Sequence, residues 1–290
     1  MSLTCMIFGA SGLLGTHLTP LLQETHTVYP VARRSSETKY SLCLDLSADW
    51  TAEALPEHVD SVVYLAQSEK FRDFPESAES VFRVNTLSLL KAFDYALRAG
   101  AKTFVFTSSG GVYGNLKQIC REDDPLGMSE KLGYYLSTKV CGEIIAGNYT
   151  SFMNVVVLRP FFVYGPGQRK DMLIPRLVER VRNGQPVQLA GKEGLEINPL
   201  WVGDAAMAVH KALMLEKSCI VNIAGPEVLS MRRIGEHIGQ ALGKEAVFEC
   251  SDGEPARMVA SIEKMEELLW KPVVKFEDGV KRYVHSLLGK

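Results

Sequence analysis

This sequence has no excess of charge of either sign: 32 basic and 34 acidic residues leave a formal net charge of −2. Arg33-Arg34 and Arg232-Arg233 are isolated pairs rather than a basic stripe, so neither nucleic acid nor an anionic membrane is expected as a partner. A long apolar run is missing too. The most apolar stretch, residues 155–163, is interrupted by Arg159-Pro160 and is far shorter than the roughly 20 residues that span a bilayer. The first residues enter an apolar strand directly, without the charged, apolar and small-residue regions of a secretory leader, so none is expected. Six cysteines (Cys5, Cys43, Cys120, Cys141, Cys219, Cys250) lie far apart, with no Cys-x-x-Cys and no Cys/His cluster at ligand spacing. Reduced thiols, no bound metal and a cytoplasmic location are the resulting expectation. No internal repeat, linker or low-complexity tract is found. What remains is an ordinary soluble globular chain of 290 residues, 46% hydrophobic and 23% charged, large enough for one big domain or two unequal ones.

Against these absences, the N-terminus carries a strong local signal. Leu3-Thr4-Cys5-Met6-Ile7-Phe8 reads as a strand, Gly9-Ala10-Ser11-Gly12-Leu13-Leu14-Gly15 as a glycine loop, and the residues to about Gln23 as a helix. Gly9 permits a tight turn, Gly12 lets backbone approach a pyrophosphate and Gly15 lets helix pack on strand, while the helix N-terminus offers N–H groups to phosphate. The second strand, residues 27–32, ends in Arg33-Arg34, where an NAD binder usually carries an acidic residue. An arginine there suits a 2′-phosphate, so NADP(H) is expected over NAD(H), with a plain surface pair as the competing reading. Asp45, after a short strand at 42–44, fits either the adenine edge or a turn.

Residues 59–66 form the next expected strand, followed by a polar, aromatic loop in which Lys70 and Arg72 are either substrate-anion ligands or solvated charges. A helix over residues 76–99, with Phe82, Leu89, Phe93 and Ala96 as its core face, comes next. Phe104 to Ser109 reads as a buried strand ending in hydroxyls, and a helix from about 135 to 149 precedes a strand at 154–158. This alternation predicts an α/β fold with a parallel sheet covered on both faces. Beyond it, helices at 172–183, 203–215, 230–242, 261–269 and 277–287 interleave with short strands near Val187, Ile197 and Val221, as in a smaller lobe.

Tyr135 and Lys139 stand four apart, on one face of their helix. A phenol titrates near ~10 and is a poor base at neutral pH, but an adjacent ammonium favours its phenolate. Alone, the spacing also fits ordinary helix residues. Ser109, at a strand end, adds a donor for a substrate oxygen while Tyr135 moves a proton.

Together these residues resemble the extended short-chain dehydrogenase/reductase family, in its sugar-nucleotide epimerase/dehydratase branch. The marks are the glycine loop, Asn85 in Val84-Asn85-Thr86, Ser108-Ser109-Gly110-Gly111-Val112-Tyr113-Gly114, Tyr135-x-x-x-Lys139 with Glu143, and Arg159-Pro160 ahead of Val163-Tyr164-Gly165-Pro166. The resemblance implies a Rossmann-type doubly wound domain over 1–165, to which later segments can return, and a mainly substrate-binding lobe over 166–290. It implies Ser109, Tyr135 and Lys139 as catalytic residues. It places the cofactor against Gly9, Ser11, Gly12, Leu13, Leu14 and Gly15, then Arg33, Arg34, Asp45 and Leu46. Further cofactor contacts would be Leu65, Ala66, Gln67, Asn85, Thr107 and Ser108, with Tyr135, Lys139, Pro160 and Val163. Substrate would meet Lys70, Arg72, Ser109, Gly110, Phe162, Arg169 and Arg176, and two copies would pair through the helices near 76–99 and 134–149.

Departures from the family pattern narrow the chemistry. Dehydratases carry an acidic pair where Gly110 and Gly111 stand here, so dehydration is disfavoured. Ile197 replaces an arginine expected to touch a diphosphate, a second arginine is missing around Cys250, and Phe162 replaces an asparagine; each lost charge-assisted bond is worth about 1.5–3 kcal/mol. The expected activity is an NAD(P)-dependent epimerase that reversibly oxidises a secondary alcohol of a sugar, with a nucleotide-linked sugar favoured over one without a nucleotide. The alternatives are a keto-sugar or carbonyl reductase, and third a non-catalytic dinucleotide sensor.

Overall fold

Five residues of the Phe104 stretch are buried in succession, as a strand covered on both faces must be. The computed structural model describes residues 3–34, 39–114, 118–127 and 129–289, for 129–131 the backbone alone. In chain order come β1 (Leu3–Phe8), α1 (Leu13–Gln23), β2 (His26–Ala32), β3 (Leu42–Cys43), β4 (Ser61–Tyr64), α2 (Ala78–Phe82), α3 (Ser88–Arg98), β5 (Thr103–Thr107), α4 (Ser129–Tyr149) and β6 (Asn154–Pro160). There follow β7 (Val163–Tyr164), α5 (Leu173–Arg182), β8 (Val187–Ala190), β9 (Glu196–Ile197), β10 (Leu200–Trp201), α6 (Val202–Ala212) and β11 (Cys219–Ile223). The chain closes with β12 (Leu229–Ser230), α7 (Met231–Leu242), β13 (Phe248–Ser251), β14 (Arg257–Met258), α8 (Glu263–Leu268) and α9 (Phe276–Leu287).

The main sheet has seven strands in the order β11-β6-β5-β4-β1-β2-β3, and every pair from β6 to β3 is parallel. This is the doubly wound Rossmann-type arrangement. The chain leaves β1 towards β2 and β3, then crosses back to β4 on the other side of β1. That reversal opens a crevice at the C-terminal ends of β1 and β4, and the glycine loop and Leu65 follow those two strands. Phe8, Tyr64, Phe93, Phe104 and Phe106 fill the core beneath, with Phe93 stacked on Phe104 at 3.8 Å between ring centroids.

By contacts the chain forms two units, one of Met1–Gly114, Leu126–Arg159 and Ala206–Val221, the other of Asn115–Pro125, Pro160–Ala205 and Asn222–Lys290. Within the second, α5, α7 and α9 bury Leu177, Ile234 and Val280 in one core, bordered by the paired strands β8 and β13 and the small sheet β12-β9-β14.

Two features of the expected helix over 76–99 are different. It starts at Ala78, and residues Arg83–Leu87 form a π turn between α2 and α3. The turn is held by Asn85, whose amide accepts the Ser68 N–H (3.0 Å) and donates to the Thr138 hydroxyl (3.0 Å). Phe82, read as core, is 44% exposed. The π turn adds a residue to the helix circuit, so the periodicity that puts Leu89 and Phe93 inside does not carry back to Phe82.

Candidate active site

The crevice is built from glycines that nothing larger could replace. Gly9 has φ of +86°, and a Cβ there would lie 2.7 Å from the Ala66 nitrogen; one on Gly15 would lie 2.6 Å from Ala10. Gly12 caps α1 without a side-chain bond, and the first turn carries no acidic residue, so its N–H groups are left for an anion. Ser11 is exposed, with Leu13 and Leu14 half-buried behind it. These features fit a dinucleotide pyrophosphate.

Further along the same strand ends, Arg33 forms an ion pair with Glu69. Asp45 is held below the usual carboxylate range, chiefly by the hydroxyl and N–H of Ser47 and to a lesser degree by Arg33; it closes a local turn. Leu46 is buried in the core, its carbonyl accepting the Ser88 hydroxyl at 2.6 Å. Arg34 is exposed.

Ser109, Tyr135 and Lys139 meet at the end of β5. Gly133, with φ of +71°, breaks α4, so Tyr135 stands in the opening turn of the continuing helix and Lys139 one turn later. The Tyr135 hydroxyl donates to Gln67 Oε1 at 2.9 Å, and its ring lies against Phe71 at 4.9 Å, over which the Arg72 guanidinium sits. Ser109 accepts the Gly111 N–H at 3.2 Å and lies near enough to the phenol to pull it down. The fully buried Lys139 donates to the Thr107 carbonyl at 2.9 Å.

Burial pushes the Tyr135 phenol up, and Ser109 partly offsets this. In this arrangement burial outweighs any lowering of the phenol by Lys139. Lys139 Nζ is spent on the Thr107 carbonyl and lies 6.0 Å from the Tyr135 ring centre. Burial also pulls its own ammonium down to about 8, with the Glu143 charge opposing. Tyr135 therefore holds a proton to give, beside a lysine whose charge is costly to keep.

Beneath them is a buried polar network to which the sequence assigned no task. Glu143 accepts the Ser108 hydroxyl (2.5 Å) and two Arg159 N–H groups (3.0 and 2.7 Å), and Arg159 also donates to the Tyr113 hydroxyl (2.6 Å). The signal for it was present: Glu143 stands four residues after Lys139, and Arg159 interrupts an apolar strand that has no reason to hold a charge.

Of the other candidates, Asn85 spends its amide on the brace described above, and Lys70 is exposed. A Cβ on Gly111 would meet the Leu136 methyls at 2.8 Å, so a side chain there would have to displace that leucine. In the second unit, Arg169 is paired with Asp171, while Lys170 and Arg176 line a cavity of about 400 Å³ with Arg180, Arg182 and Tyr283. Phe162, between Pro160 and Val163, has φ of +44°, a backbone that asparagine tolerates and a bulky ring does not.

A UDP-glucose epimerase of Bacillus subtilis, YtcB, itself uncharacterised, is 28% identical over 97% of this chain and 97% of its own. A GDP-6-deoxy-D-mannose reductase of Pseudomonas aeruginosa is 30% identical over 70% of this chain and 64% of its own. Among solved structures, a Bacillus cereus UDP-glucuronic acid 4-epimerase, in complex with UDP-glucuronic acid and NAD, matches with a TM-score of 0.83 over 99% of both chains at 22% identity. The family model covers residues 5–224, from the first strand of the sheet to the last, and the chain belongs to the NAD dependent epimerase/dehydratase family.

Proposed function

We propose that the protein is an NAD(H)-dependent epimerase of nucleoside-diphosphate sugars, acting through reversible oxidation of a secondary alcohol. The observation that carries this reading is the convergence of Ser109, Tyr135 and Lys139 at the end of β5, beside a glycine cradle suited to a dinucleotide. When bound, the nicotinamide supplies a hydride acceptor and returns the hydride. The chain's own residues manage the proton: Tyr135, as its phenolate, takes it from the sugar hydroxyl and returns it to the carbonyl oxygen when the hydride comes back to the other face. Ser109 steadies the oxygen, and the Lys139 ammonium, 6.0 Å from the ring centre, supplies positive charge to the phenolate that takes the proton. The similarity to sugar-nucleotide epimerases supports the substrate class.

NAD(H) replaces the sequence-based preference for NADP(H). What supports it is the Arg33–Glu69 ion pair, which sets a carboxylate beside the guanidinium that a 2′-phosphate would need, together with the NAD in the B. cereus relative. Pairing of two copies through α3 and α4 fits the exposed Leu90, Leu97 and Ile144 on those helices. No described helix is long and apolar enough to cross a membrane; cysteines held outside disulfides suit a cytoplasmic location.

A reductase is the second reading, favoured by the P. aeruginosa relative. Exhaustive dialysis followed by assay of retained nicotinamide separates the two. Near-stoichiometric NAD(H) is expected, because an epimerase regenerates its cofactor in place. Empty protein that exchanges NADPH freely would favour the reductase, and binding of neither nicotinamide would overturn both.

A further inference from the structure

We propose that Glu143 is a positioning residue for the reacting set: held by Arg159, its carboxylate keeps the buried Lys139 ammonium charged and ties down the strand end that carries Ser109. The catalytic meaning of this rests on the epimerase reading; the electrostatics rest on the geometry alone. Tyr135, Lys139 and Glu143 stand at successive turns of α4, and Lys139, Glu143, Arg159 and Ser108 are all less than a tenth exposed. Glu143 cannot swing across to ligate the lysine. One oxygen is taken by the Ser108 hydroxyl and Arg159 Nε, the other by an Arg159 terminal nitrogen, and Arg159 is itself held over the Tyr113 ring at 4.7 Å. It acts by charge, one turn away, in surroundings too dry to screen it.

The groups facing Lys139 are few. On its own helix they are Tyr135 and Glu143; from β5 they are the Thr107 carbonyl and the Phe106 ring, 5.4 Å from Nζ. Arg159 from β6 and Tyr113 stand behind Glu143, and Asn85, from the π turn packed on α4, is neutral. Among the described residues two cations and one anion thus share this interior, the anion being Glu143. A purely structural ion pair can often be exchanged for other well-packed groups. An electrostatic support cannot lose its charge without Lys139 responding.

The experiment titrates Lys139 by carbon-13 NMR of its Cε in lysine-labelled protein, assigned with Lys139→Arg, and follows turnover of UDP-glucose against pH. Glu143→Gln removes the charge and keeps one oxygen acceptor, while its amide nitrogen replaces the other acceptor that Arg159 or Ser108 now uses. The Lys139 midpoint is expected to fall by about one pH unit, and the alkaline loss of turnover to move down with it. Glu143→Asp, which keeps the charge, should hold the midpoint near that of the native protein. Arg159→Gln should raise it. Displacements of opposite sign identify charge as the cause, because loosening of the fold would move both midpoints the same way. An unchanged midpoint in whichever of the Gln variants folds overturns the proposal. The midpoint is read without substrate, so a protein that turns over no nucleotide sugar would sink the epimerase reading while the titration still decides this one.

Discussion

Lys139→Met should change how stability depends on pH more than it changes stability itself. The lysine of the unfolded chain keeps its proton up to about its ordinary 10.5, whereas burial in the folded protein brings it down to about 8. At about 1.36 kcal/mol per pH unit, that gap amounts to about 3 kcal/mol. The sign follows from proton counts. Between pH 8 and 10.5 the unfolded chain holds one proton more than the folded one, so stability rises with pH. Below pH 8 both are protonated, and the folded protein bears the full cost of an ammonium in a dry site. Met keeps much of the side-chain length and abolishes the titration. It also strands the Thr107 carbonyl, at about 1–3 kcal/mol, in a way that does not depend on pH over this range. Urea unfolding of both proteins, followed by circular dichroism at half-unit steps from pH 6.5 to 10.5, gives the difference directly. Native minus variant should be flat below about pH 7.5 and climb by about 3 kcal/mol across the alkaline range. A flat difference throughout would refute the desolvated ammonium, and with it the reason given for Glu143.

Tyr135→Phe should cut turnover by about 10²–10⁴-fold while NAD(H) affinity, measured by fluorescence titration, stays close to native; undiminished turnover would remove the tyrosine from the mechanism. His210 is held below its ordinary range mainly by burial, with Lys211 and His26 adding to the effect, and neither ring nitrogen finds a hydrogen-bond partner among the described residues. As pH falls below about 6.5 the unfolded chain takes up a proton that the folded one refuses, so stability declines. His210→Leu should flatten that acid limb in urea titrations and leave the curve above pH 7 parallel to native. Phe162 pays about 1–2 kcal/mol for its left-handed backbone, so Phe162→Asn should exchange that relief for the loss of a part-buried ring and come out within about 1 kcal/mol of native. Phe162→Ala, which gains no such tolerance, should cost clearly more in the same assay.

What could be read from the chain, and what could not, divides along the range of the forces involved. The strands β1, β4, β5 and β6 were legible because burial on both faces writes itself as consecutive apolar residues such as Phe104-Val105-Phe106. The helices between them were legible through their period. Two-residue strands such as β7, β12 and β14 carry no period at all, since a single pair of residues cannot show alternation. The π turn escaped for another reason: Asn85 is placed by Ser68 and Thr138, which are distant in sequence. Ser109, Tyr135 and Lys139 could be found because their chemistry is unusual at that spacing, but the state of the lysine could not. A side chain's sequence neighbours reveal which charges share its helix, not how much water is excluded around it, and here exclusion by the packed strand ends outweighs the charge of Glu143. The same dry packing that makes the ammonium costly lets one carboxylate a helical turn away act on it. For this reason the Glu143 charge, rather than the Tyr135–Lys139 spacing alone, is expected to set the pH at which the site loses its charged lysine.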